Sequence, residues 1–265
     1  MSIGFIGCGN MATAIIKGII KSKTVEENEI NVFDVYAPAV ERLTAEYKIN
    51  KCESECDVVS SSDAVILAVK PNVLPQVLNK INTTLEESDT LLISIAAGKS
   101  TEFIRGALSH NNRIIRVMPN INATVGEAMC AYTANADATE EDKQTAEAIF
   151  SGVGKVMYLD ENYFPLFGVI GGCGPAFAYM FIDAMARAGV KNGMKKDTAL
   201  MVAAQTVLGS AKMILDSSEH PWELIDKVCS PGGTTIEAVT SLQADGFESA
   251  IHNAIDKAVD KDSKL

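Results

Sequence analysis

The tightest constraint on the fold sits at the start of the chain. A short apolar run, Ile3-Gly4-Phe5-Ile6, leads directly into Gly7-Cys8-Gly9-Asn10-Met11-Ala12, and a helical pattern, Thr13-Ala14-Ile15-Ile16, follows at once. A strand that turns into a helix within a few residues needs glycine where the backbone bends and small side chains where helix and strand touch. This G-x-G-x-x-A spacing meets both needs. Gly7 permits the tight turn, Gly9 lets a phosphate chain approach the backbone, and Ala12 lets the helix pack close to the strand. The same turn can serve as a ligand-free βα connection. Its place after a first strand favours a dinucleotide cradle made by Gly7, Cys8, Gly9, Asn10, Met11 and Ala12.

The residues that follow repeat the strand–helix theme. Ile3–Gly7, Ile30–Asp34, Ala64–Val69, Leu91–Ala96 and Ile114–Met118 read as buried strands, each ending near Gly, Pro or Asp. Glu127–Ala134 and Val153–Leu159 read as further strands flanking a helical Glu140–Ser151. The expected fold class is α/β: an N-terminal Rossmann-type doubly wound parallel sheet over residues 1–160, then an all-α domain over 161–265.

In such a sheet, ligands bind beyond the carboxyl ends of the strands. That rule picks out Asp34, then Val69-Lys70-Pro71, then Ala97-Gly98 and Asn120. Asp34 fits as an acceptor for the adenine ribose hydroxyls, and equally as a cap of the next helix. As an acceptor it would repel a 2′-phosphate, although Arg42 lies eight residues on, so NADPH or NADH both stay open. Gly98 offers a wall without a side chain for a flat ring, and Lys70 offers a charge for phosphate or carboxylate.

Composition narrows the function classes. The 265 residues carry a net charge of −11 and no long Lys/Arg cluster, which argues against a nucleic-acid or anionic-membrane partner. The N-terminus has no basic flank, and no apolar run reaches the ~18 residues of a membrane span. The expectation is a soluble, cytoplasmic protein. Its six cysteines lack framework spacing and its three histidines are far apart, so reduced thiols and no metal site are expected.

After Tyr163 no alternating strand pattern remains. Pro175–Ala188 reads as a helix with Pro at its start and Gly189 after its end. Asp197–Leu215 reads as another, with Asp197 as its cap, and it is apolar nearly all round. A helix apolar on every side must be buried on every side, which favours a partner subunit over the centre of a monomeric bundle. Only the Lys/Asp-rich tail after Ile255 looks frayed. Near the end stands Cys229-Ser230-Pro231-Gly232-Gly233-Thr234-Thr235, directly before a helical pattern. Glycines and hydroxyls at a helix start make an anion trap, since backbone N–H groups are free there and the helix dipole favours negative charge. Thr234 and Thr235 also fit as simple helix caps.

The order and spacing of Gly171-Gly172-Cys173-Gly174-Pro175, Ala188-Gly189-Val190, Ala204-Gln205-Thr206-Val207-Leu208-Gly209-Ser210 and Pro221–Gln243 resemble the pyrroline-5-carboxylate reductases. Gly7-Cys8-Gly9-Asn10-Met11-Ala12, Ala68-Val69-Lys70-Pro71 and Arg116-Val117-Met118-Pro119-Asn120 are similar too, so the resemblance spans essentially the whole chain. It implies a Rossmann domain, a helical domain that interlocks with a second subunit as a homodimer, with larger oligomers left open, and NAD(P)H-dependent reduction of 1-pyrroline-5-carboxylate to L-proline. Matched by position, it implies that Ser230, Gly232, Gly233 and Thr234 hold the substrate carboxylate and that Thr235 faces the ring nitrogen as the catalytic residue. The chain departs from the family where Gly171 and Cys173 replace serines, where Phe177 replaces a common tyrosine, and where Asp34-Val35-Tyr36 replaces a Ser/Arg-type phosphate site.

The chemistry agrees with that resemblance. Reducing a C=N bond takes a hydride on carbon and a proton on nitrogen, so the protein must orient two rings and relay a proton rather than supply a nucleophile. Threonine is a weak acid, so Thr235 is expected to orient a protonated imine or pass a solvent proton. Two other readings compete. A 3-hydroxyacid-type dehydrogenase needs a Lys in the first turns of the helical domain, and Gly171–Ala188 contains none. A non-catalytic dinucleotide sensor would keep Gly7 and Gly9 without needing Ser230–Thr235.

Overall fold

Short Ile/Val/Leu segments separated by helices assemble into one eight-stranded sheet, seen in a computed structural model that describes residues 1–262. The strands are β1 (Ile3–Ile6), β2 (Ile30–Phe33), β3 (Asn50–Lys51), β4 (Ala64–Leu67), β5 (Leu91–Ser94), β6 (Ile114–Met118), β7 (Ala128–Ala134) and β8 (Gly154–Tyr158). Their order is β3-β2-β1-β4-β5-β6-β7-β8. β1 pairs in parallel with both β2 and β4, Ile3 facing Ile30 on one side and Ala64 on the other. The strand order therefore reverses between β1 and β4, the position where doubly wound sheets open a ligand crevice.

Alternation along the strands sorts two apolar layers. Ile3, Phe5, Ile66 and Ile93 face helices α1 (Asn10–Ser22), α2 (Ala37–Glu46) and α6 (Glu140–Ser151). Val65, Leu67 and Leu92 face α3 (Glu55–Ser60), α4 (Leu74–Glu86) and α5 (Thr101–Gly106). Central strands buried on both faces explain the unbroken apolar runs in the sequence.

Two features of the sheet depart from expectation. β7 runs antiparallel to β6, because the connection is only a 3₁₀ turn, Ile121–Val125, too short for a crossover. β3 was not anticipated. It is two exposed residues long and carries no apolar pattern to read.

The chain divides into two compact units, Met1–Gly172 and the part from Cys173 onward. After β8 a short helix, α7 (Phe164–Phe167), leads through a π-helical turn, Gly168–Cys173, into α8 (Gly174–Lys191). A π turn is an apt lead-in to Pro175, which has no N–H to return to the turn before it. α8 passes beyond the expected stop at Gly189. That glycine lies within the helix because a Cβ there would come within 3.1 Å of the Ala199 Cβ, so it serves close helix packing, and the chain turns at Gly193 with φ +95°.

α9 spans Lys196–Asp216. It starts one residue before the expected cap, so Asp197 lies in the first turn, where its charge suits the helix dipole, and makes no capping bond. α10 (Pro221–Val228), α11 (Thr234–Ala244) and α12 (Phe247–Asp262) complete the chain. The tail expected to fray after Ile255 is helical to Asp262; its last three residues lie outside the described ones. The helical run Glu161–Lys191 and α9 are each long and apolar enough to cross a membrane, which corrects the expectation that no segment would be.

Candidate active site

In the first unit, the crevice between β1 and β4 is built by the turn that opens the chain. Gly7 has φ +102°, and a Cβ there would sit 2.8 Å from the Ala68 carbonyl oxygen, so only glycine fits. A Cβ on Gly9 would meet nothing within 4 Å, which leaves the backbone open to an approaching group. Gly9 caps α1 without a side-chain bond, and the first turn carries no acidic residue. The N–H groups of the first turn therefore face an anion without competition. A dinucleotide pyrophosphate fits this cradle.

A cleft of about 580 Å³ runs from there across the strand ends. It gathers Gly7, Gly9, Asn10, Met11, Ala12, Asp34, Val69, Lys70, Pro71 and Ala97 of the expected residues. Cys8, Gly98 and Asn120 do not line it. The Cys8 side chain is fully buried in the core, where burial and then Asp34 push its thiol up to about 12, Arg42 opposing weakly. Asn120 is buried and works on the backbone. Its Oδ1 accepts from the Asn122 N–H, and its Nδ2 donates to the Gly171 carbonyl at 2.9 Å. Gly171 lies four residues before Pro175, where a proline leaves a helical carbonyl without its usual donor.

Asp34 joins two parts of the crevice. Its Oδ2 accepts from the Cys8 N–H at 2.7 Å and its Oδ1 from the Tyr36 N–H at 2.8 Å. Beside it a second cavity of about 280 Å³ opens between β2 and α4, lined by Phe33, Val35, Val73, Val77 and Lys80 among others. Phe33 and Val35 stand at the end of β2, whereas Val73, Val77 and Lys80 escaped the sequence reading because they belong to α4 and its cap and not to a strand end.

Arg116 was also missed as a part of the site. It is buried in β6, lines the cleft, and donates to Glu161 at 3.0 Å. The Glu161 carboxylate also accepts from the Thr101 N–H and hydroxyl, and the guanidinium lies 4.5 Å from the Phe164 ring centre. Burial works to raise the Glu161 carboxyl, but the Thr101 and Arg116 bonds outweigh it and hold it below its usual value. The signal was available: a charge inside Ile-Ile-Arg-Val-Met must be paired if the strand is central.

The second unit carries the other group of expected residues. Ser230-Pro231-Gly232-Gly233 is a tight turn closed by the Gly233 N–H on the Ser230 carbonyl at 2.9 Å. Proline stands second and Gly232, with φ +66°, third, the placement such a turn requires. A Cβ on Gly233 would fall 2.3 Å from the Ser230 Oγ, so a side chain there would push the Ser230 hydroxyl into another rotamer. Gly233 is the cap of α11 and makes no side-chain bond. Thr234 and Thr235 are thus the first two helical residues and do not cap the helix, which leaves their hydroxyls beside the free N–H groups of its first turn. All six cysteines are unpaired, and no cluster of three metal-ligating side chains occurs among the described residues.

Known proteins resemble this chain along its whole length. Residues 161–265 match the family model described as pyrroline-5-carboxylate reductase dimerisation, and residues 2–98 match that of NADP oxidoreductase, coenzyme F420-dependent. A pyrroline-5-carboxylate reductase of Escherichia coli (strain K12) is 44% identical over 264 residues, covering 99% of this chain and 97% of that protein. A solved pyrroline-5-carboxylate reductase from Coxiella burnetii superposes with a TM-score of 0.94 at 30% identity, covering 99% of this chain and 97% of that one. The Plasmodium falciparum pyrroline carboxylate reductase, solved with NADP bound, covers the same shares at 30% identity and a TM-score of 0.86. On full-length identity and matching architecture, the chain belongs to the pyrroline-5-carboxylate reductase family.

Proposed function

We propose that this chain reduces 1-pyrroline-5-carboxylate to L-proline, the last step of proline biosynthesis, using NADPH or NADH. The observation that carries the reading is the turn Ser230–Gly233 feeding an uncapped helix that begins with Thr234 and Thr235. That surface suits a small carboxylate, while the phosphates of a cofactor already have a cradle at Gly7 and Gly9.

Gly7, Gly9, Asn10, Met11 and Ala12 hold the pyrophosphate at the start of α1, and Asp34 takes the adenine ribose. Val69, Lys70, Pro71 and Ala97 wall the cleft towards the nicotinamide. Gly98 follows Ala97 with open space where a side chain would stand, and Asn120 holds the Gly171 carbonyl. Cys8 contributes its backbone, through the bond to Asp34. The bound cofactor supplies the hydride for the carbon of the C=N bond. Ser230, Gly232, Gly233 and Thr234 clamp the substrate carboxylate through N–H groups and hydroxyls, which fixes the ring face. Thr235 hydrogen-bonds the ring nitrogen and directs the proton it gains, so one hydride and one proton convert C=N to CH–NH. Orientation of this kind is worth about 7–11 kcal/mol of barrier.

Residues 1–160 bind the cofactor, and 161–265 bind substrate and a second subunit. The span of the dimerisation family model supports that division. The apolar sides of α8 and α9 are the homodimer contact, which accounts for their membrane-like hydropathy without a membrane. Free thiols and net negative charge suit the cytoplasm. The 3-hydroxyacid alternative lacks its lysine, since α8 holds none before Lys191.

The test is steady-state turnover. Purified protein given pyrroline-5-carboxylate should oxidise NADH or NADPH; no oxidation of either would remove the reductase reading and leave the non-catalytic sensor.

A further inference from the structure

We propose that Asp34 makes this chain prefer NADH, by refusing a phosphate on the adenine ribose. The inference rests on the dinucleotide reading of the crevice and deepens it to one cofactor. Asp34 closes β2 at the mouth of the cavity beside α4. Two backbone donors, the N–H groups of Cys8 at 2.7 Å and Tyr36 at 2.8 Å, grip one carboxylate oxygen each. The charge therefore cannot swing aside when a ligand enters. Each oxygen keeps a lone pair for a ribose hydroxyl, which donates, whereas a phosphate brings only acceptors and more negative charge.

The cation in this cavity is already engaged. Lys80 is the one Lys or Arg lining this cavity, and its Nζ is paired with the nearly buried Glu55 carboxylate at 2.8 Å. Drawing Lys80 onto a phosphate would strand Glu55. Residues Val35 to Glu41 carry no positive charge. Arg42 follows, but its Nη2 points across to the Thr13 hydroxyl on α1 at 3.5 Å. Lys70 lines the wider cleft and not this cavity. A ribose bearing free hydroxyls is matched here; one bearing a phosphate meets a fixed carboxylate and the apolar Val35.

Equilibrium titration of the ligand-free protein with NADH and with NADPH, followed by calorimetry, reads the preference directly. NADH should bind at least tenfold more tightly. Asp34→Asn should narrow that ratio by strengthening NADPH, and Arg42→Ala should leave NADPH affinity unchanged. Equal or tighter NADPH binding by the unaltered protein would overturn the proposal and leave the reductase reading standing. A loss of NADPH affinity in Arg42→Ala would also overturn it, since Arg42 would then be a phosphate handle. Binding of neither cofactor would overturn the dinucleotide reading itself. The unaltered protein gives the ratio even if a variant fails to fold.

Discussion

At the scale of single residues, the proposed site divides into groups that would act through side chains and groups that would act through backbone. Thr235 is of the first kind. It stands second in α11 with no capping duty, so its removal should affect chemistry and not helix formation. Thr235→Ala should lower kcat by roughly ten- to a hundredfold, the range of one well-placed hydrogen-bonding or proton-relaying group. Cofactor affinity should stay within about twofold by the same titration, and unchanged turnover would take Thr235 out of the mechanism. Gly7, Gly9 and Gly233 are of the second kind, and their spacing made them legible in the sequence. Cys8 and Asn120 were expected among the cofactor-binding residues, yet neither lines the cleft. A thiol buried in the core and an amide that satisfies the Gly171 carbonyl depend on contacts from distant parts of the chain. Arg116 and Glu161 lie 45 residues apart, so the strand announces that Arg116 needs a partner but not which residue it is.

At the scale of elements, close packing between backbones decides what a substitution does. Glycine inside an exposed helix is a weakness, and replacing it with alanine ordinarily gains about 0.5–1 kcal/mol. Gly18 in α1 reverses that rule. A Cβ there would lie 2.4 Å from the Val153 Cγ1 and 2.7 Å from the Gly152 carbonyl oxygen, where α1 crosses the turn after α6. Overpacking of this order costs about 1–3 kcal/mol, more than the helix gains. Gly18→Ala should therefore lower the urea midpoint, and a raised midpoint would contradict the packing described. The same physics explains which elements could be read in advance. β1, β2, β4, β5 and β6 are buried on both faces and announce themselves as apolar runs. β3 pairs through two exposed residues, Asn50 and Lys51, and carries no such mark. The end of α8 was misread because Gly189 serves contact with Ala199, and a helix stop and a helix crossing use the same residue.

At the scale of the whole molecule, the helical part leaves large apolar side chains uncovered within one chain. Met201 is 66% exposed, Leu208 59% and Leu215 77%, and α10, α11 and α12 have no buried residue. Apolar faces of that extent call for a partner. Light scattering should give twice 28.3 kDa, or a larger even multiple. Leu208→Asp should drive the species towards the single chain, and a monomer from the unaltered protein would refute the assembly. The all-round apolar pattern of α9 pointed to this in the sequence; which face meets which partner residue is not encoded in one helix's periodicity. The proposed reaction is a direct hydride transfer from a nicotinamide cofactor to the substrate carbon. The most direct measurement is isotope transfer with a nicotinamide cofactor carrying deuterium at the transferring position. Incubated with 1-pyrroline-5-carboxylate and the enzyme, it should yield L-proline bearing one deuterium on the carbon of the former C=N bond. Proline without the label, or no proline formed, would contradict direct hydride reduction by this chain.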